Sequence, residues 1–148
     1  MFTNGAFRPA TKFCVAAAVA LSAASCGLPF PGSTPVVKPA SKVLNTEAVT
    51  PRDGAGAILV ARDKQLQGMG CVHEVSLDDK PVAELSNGEQ VTLYAEPGDR
   101  VLGVSIRPEG KCEAATARFP LFVIARTTTK VRVQADGFCG LKVEATTY

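Results

Sequence analysis

The sequence predicts an all-β domain, a small antiparallel β-sandwich of seven or eight strands or a small barrel. Three observations carry this. Between residues 71 and 106, four short β-rich runs are separated by three polar turns, Asp78-Asp79-Lys80, Asn87-Gly88-Glu89-Gln90 and Pro97-Gly98-Asp99-Arg100. Glycine accepts positive φ and proline presets its own, so these stretches reverse the chain, and the sequence predicts an antiparallel meander. Within the runs, apolar residues recur with a period of two: Val75 and Leu77 share a face, as do Val91, Leu93 and Ala95, and Leu102, Val104 and Ile106. Beyond the first 25 residues, no apolar i, i+3, i+4, i+7 pattern with a capping signal persists.

Taken in order, residues 1–25 read as an export signal. Arg8 and Lys12 precede an uncharged, Ala-rich run over residues 13–24, too short at about 1.5 Å per helical residue to cross a bilayer core of about 30 Å. Leu21-Ser-Ala-Ala-Ser-Cys26-Gly27 then resembles the lipobox of bacterial lipoproteins, with Ala23 where the commonest form carries Leu. The resemblance implies that Cys26 becomes the acylated mature N-terminus. Each buried CH₂ contributes about 0.8 kcal/mol, so several chains hold firmly where one holds marginally. Gly27, in place of the Asp that favours inner-membrane retention in such lipoproteins, implies the periplasmic face of the outer membrane. The competing reading is an ordinary secretory signal that leaves Cys26 as a free thiol.

Residues 26–50 hold Pro29, Pro31, Pro35 and Pro39 among small polar residues, the composition of an extended, semi-rigid tether. Val36-Val37 and Val43-Leu44 are two pairs, either of which could dock as an edge strand, but the composition favours linker. The domain is expected over 51–148. Residues 51–56 form a turn-rich entry, Ala57–Arg62 a central apolar strand, and Asp63–Gly70 a polar, Gly-rich loop. The four runs already described follow, then a loop at 108–111, strands within 115–125 and 127–135, and a last strand at Leu141–Ala145.

The run from Val75 to Leu85, then Asn-Gly-Glu, then Val91–Gly98, is similar to the strand–turn–strand pattern of PEGA-type domains in small proteobacterial lipoproteins. Asp79 stands where that pattern usually has Gly, and Glu96 replaces its first Pro. The resemblance spans roughly residues 57–145 and implies a β-sandwich without implying an active site. It also implies cysteines before the Asp-turn strand and after the strand following Pro-Gly, which match Cys71 and Cys112. Three cysteines remain once Cys26 is acylated, so one disulfide and one free thiol are expected. Cys71–Cys112 is the favoured pair and Cys112–Cys139 the next.

Composition excludes more than it assigns. The chain carries 16 basic and 14 acidic residues. With Arg8 and Lys12 in the leader, the remainder is neutral, which argues against electrostatic binding of nucleic acid or anionic lipid. His73 is the sole imidazole. It has no orienting partner in the sequence and is expected to be a partly exposed strand histidine, neither a base for Cys71 nor a metal ligand. The acids Asp78, Asp79, Glu89 and Asp99 belong to turns, and Gly68-Met69-Gly70 lacks the Lys-Ser/Thr ending of a phosphate loop. Phe119, Leu121, Phe122, Val123 and Ile124 read as a core strand with one face left needing cover. No catalytic residue, metal or cofactor is expected. The expected work is binding, as an accessory or structural subunit of an envelope or secretion assembly. The alternative is a periplasmic lysozyme or hydrolase inhibitor, whose Ser/Tyr-rich loop motif the chain lacks.

Overall fold

The computed structural model describes residues 38–136 and 140–146. Eight substantial strands form it: β3 (Gly56–Arg62), β4 (His73–Leu77), β5 (Lys80–Leu85), β6 (Glu89–Ala95), β7 (Gly98–Ile106), β8 (Ala115–Val123), β9 (Thr128–Asp136) and β10 (Gly140–Thr146). Two short pieces, β1 (Lys38–Pro39) and β2 (Lys42–Val43), and one helical turn, α1 (Thr46–Val49), precede them. They make two five-stranded sheets, in the orders β1-β6-β3-β9-β10 and β2-β5-β4-β7-β8. The protein is an all-β sandwich, as the alternation predicts. The predicted faces point inward: Val75, Val91, Leu93, Ala95, Leu102 and Val104 are buried with Ile58, Val60, Val131 and Val133 in one core between the sheets. Leu77 packs at its border.

The predicted meander is corrected. β4 and β5 pair as a hairpin, but β5 leads to β6 in the opposite sheet, and β6 leads back to β7 beside β4. Asn87-Gly88 and Pro97-Gly98 are therefore corners between layers. A turn signal fixes that the chain reverses, and burial of both faces' apolar residues decides which sheet the next strand joins. β3, predicted as central, is so: it runs antiparallel to β6 and parallel to β9. At its start Gly56 admits the returning chain, because a Cβ there would collide with the Ile124 carbonyl oxygen.

The tether reading of residues 26–50 also changes at its end. Residues 38–50 dock on the sandwich, β1 beside β6 and β2 beside β5. Local composition forbade long regular structure but left donors free to pair. Ala40 N–H reaches the Gln90 carbonyl at 2.7 Å and Leu44 N–H that of Val82 at 2.8 Å, and the Asn45 side chain caps α1 by accepting from the Glu47 and Ala48 amides. These pieces cover edges of β5 and β6 that would otherwise invite foreign strands. The signal segment, Cys26, Val36-Val37 and Cys139 lie outside the described residues.

The sandwich has two ends. At the first lie the β3–β4 loop (63–72), the start of β6, the β7–β8 loop (107–114) and the entry of the chain at Lys38. The second holds the Asp78-Asp79 hairpin, the β6–β7 corner and residues 124–127. A disulfide joins Cys71 to Cys112 at the first end, with Cα atoms 5.6 Å apart and a sequence separation of 41. In the chain-entropy model such a closure stabilises by about 4 kcal/mol.

Candidate functional site

Alternation along β3 points Ile58, Val60 and Arg62 into the core, so the strand ends on a buried cation. Arg62 donates to three main-chain carbonyls: Leu85 at 2.8 Å, Gly68 at 2.7 Å and Cys71 at 2.5 Å. Burial pulls its guanidinium down to about 10, opposed by the nearby Glu89 carboxylate. The cation thus folds the 63–72 loop around itself.

The flanks of that loop are pinned as well. Asn87 pairs with Gln65 as a strand would, accepting from its amide and donating to its carbonyl, both at 2.9 Å. The Gln65 side chain accepts from the Ala135 amide at 2.9 Å. Asp63, buried, receives Arg132 and the Gln134 amide. Glu89, expected in a turn, begins β6 and accepts from Ser86 and from both the amide and hydroxyl of Ser41. On this fixed frame Leu66 is 91% exposed and Met69 58%, with Val72 exposed beside them. Gly68-Met69-Gly70 is part of this pinned loop. Disorder would explain exposed apolar side chains on a fraying segment, but not on one held at residues 65, 68 and 71.

His73 corrects the expectation of a partly exposed residue. It shares the inward face with Val75 and is fully buried, and neither ring nitrogen has a hydrogen-bond partner among the described residues. Burial first, and the Arg62 charge second, push its pKa down to about 3, so it is neutral near pH 7. Cys71 is committed to the disulfide with Cys112. The two side chains therefore form no nucleophile–base pair.

At the opposite end, Asp78 and Asp79 serve their hairpin. Asp78 accepts from the Val101 amide at 3.0 Å and pairs with Arg100, and Asp79 pairs with Arg118. A cleft of about 240 Å³ lies nearby, lined by Asn45, Arg52, Asp78, Tyr94, Glu96 and Arg100 among others. Its guanidiniums are already spent on main chain, Arg52 on the Tyr94 carbonyl and Arg100 on that of Glu96. Asp99 is exposed, on β7. Along β8, Leu121 and Val123 are buried and Phe119 packs at the core's border, while Phe122 stands 61% and Ile124 55% exposed. The face expected to need cover has none within the described residues.

Among the described residues no three of His, Cys, Asp and Glu cluster as metal ligands, and no helix is long and apolar enough to cross a membrane. No family model, curated protein or solved structure matches the chain. The sequence reading missed the Arg62-centred loop. Its signal was present: an arginine two positions after Val60 on a strand that must be buried.

Proposed function

We propose that the protein is a lipid-anchored accessory subunit of an envelope assembly, held by acylated Cys26 at the periplasmic face of the outer membrane and acting by binding a protein partner, without catalysis. The lipobox resemblance at residues 21–27 supports the anchor, and the Cys71–Cys112 disulfide suits an oxidising compartment. The observation that carries the binding role is the uncovered pair Phe122 and Ile124 at the end of the sandwich far from where the chain enters at Lys38. An aromatic and a branched aliphatic side chain, two positions apart, form a small apolar patch that a partner can desolvate.

Crosslinking and pull-down from intact cells tests this. The wild-type chain should capture a partner, and the double variant Phe122→Asp, Ile124→Asp should lose it while melting unchanged. Equal capture by both would reject the patch as the contact. Cys26→Ala tests the anchor separately: it should abolish palmitate labelling and sedimentation with the outer membrane.

A further inference from the structure

We propose that the 63–72 loop contacts the bilayer that holds the lipid anchor, its Leu66 and Met69 side chains entering the interfacial region; this rests on the anchor reading above. The first argument is position. The chain enters the sandwich at Lys38, paired with Glu89, and the adjoining Gly88 lies against Lys64 of the loop. Tether and loop therefore emerge at the same end. Eleven residues, and so 12 Cα–Cα steps, separate Cys26 from Lys38, and fully extended those steps reach at most about 43 Å. That is enough for this end to rest on the bilayer with the tether relaxed, whereas setting the far end there would stretch the tether along the whole roughly 30 Å length of the nine-residue strands.

The chemistry of the loop agrees. The tip, residues 64–70, contains one cation, Lys64, and no acid, so its entry into the interface carries no carboxylate of its own, and the lysine stem can bend its ammonium back to water; Val72, beside Glu74, Glu84 and Glu109, stays at the wet border. The exposed tip is aliphatic and thioether, without the Trp, Tyr or Arg that anchor most protein interfaces. It is also pre-ordered by Arg62, Asn87 and the disulfide, so insertion spends little conformational entropy. The chain after its leader is neutral, so the contact is apolar and needs no anionic lipid.

The chain contains no tryptophan, so Leu66→Trp introduces a sole reporter, at a site so exposed that the fold is not threatened. With residues 1–26 replaced by a hexahistidine tag, the protein is held on phosphatidylcholine vesicles by a nickel-chelating lipid, independently of acylation. Recruitment should shift the indole emission of the Leu66→Trp variant to the blue, and acyl-chain-brominated phosphatidylcholine should quench it several-fold. Glu96→Trp, exposed in the β6–β7 corner at the other end, should show neither change. Emission from the Leu66→Trp variant that stays unshifted and unquenched on the vesicles overturns the proposal, as does emission shifted only when a crosslinked protein partner is present. Failure of the anchor itself is read separately, by loss of palmitate labelling at Cys26.

Discussion

The two ends of the sandwich are held by different physics. The end bearing the 63–72 loop is fastened from inside: a buried Arg62 among three carbonyls, a buried Asp63 with its partners, a capped Glu89 and a disulfide. The opposite end relies on turn geometry and on ion pairs that water reaches, Arg100–Asp78 and Arg118–Asp79. Exposed pairs of that kind contribute at most about 1 kcal/mol, whereas removing one member of a buried polar set costs about 3 kcal/mol or more. The difference teaches that the molecule spends its stability on presenting one loop. It also locates the weak points under acid, denaturant and mutation.

The largest test of this asymmetry is pH. The chain's only imidazole lies buried at the fastened end. Its pKa is about 3 in the fold against 6.5 in the unfolded chain. Between those values the unfolded state takes up a proton that the folded state refuses. The His73 contribution is therefore whole above pH 6.5 and is lost as pH falls, by about 1.4 kcal/mol per unit and roughly 4–5 kcal/mol in all by pH 3. Carboxylates titrate in both chains, so the comparison is with His73→Leu. Between pH 7 and pH 5, urea denaturation should show wild type losing roughly 2 kcal/mol more than the variant. Equal losses would mean that His73 is accessible to protons in the fold.

Arg62→Met comes next. The methionine fills most of the volume but leaves the carbonyls of Gly68, Cys71 and Leu85 without their donor, at a cost of roughly 3 kcal/mol. The loss should be local in hydrogen exchange. Protection should fall across 63–72 and persist at the Asp78-Asp79 hairpin. Uniform loss at both ends would erase the asymmetry.

What the sequence made legible follows the same divide. Period-two alternation named the core residues of β4, β6 and β7 because each strand buries one face, and that needs no knowledge of partners. Layer assignment was not legible, since Asn87-Gly88 suits a hairpin and a corner equally. Docking of residues 38–50 was not legible either: it depends on Ser41 meeting Glu89, 48 positions away. The exposure of His73 was misjudged by residue type, although its place two before Val75 already put it inside. The run Phe119–Ile124 reads as leaving one face without cover, and the structure identifies that face as Phe122 and Ile124, uncovered among the described residues.

The smallest expected effect sharpens the comparison at the opposite end. Asp78 and Asp79 both adopt positive φ, 49° and 63°, the conformation of a two-residue type I′ hairpin turn, which favours glycine. An L-residue there costs roughly 1–2 kcal/mol, less for aspartate than for most. Asp79→Gly relieves that strain and gives up a water-exposed pair with Arg118 worth a few tenths of a kcal/mol. It also enlarges the unfolded ensemble. The balance is a gain of about 0.5 kcal/mol, a rise of roughly 2–4 °C in Tm for a domain this size. Asp78→Gly relieves the same strain but removes the acceptor of the Val101 amide and the partner of Arg100, so it should lower Tm. Opposite signs from two adjacent aspartates would show that turn geometry, not surface charge, holds this end. A lower Tm for Asp79→Gly would instead make the Arg118 pair the stronger fastening.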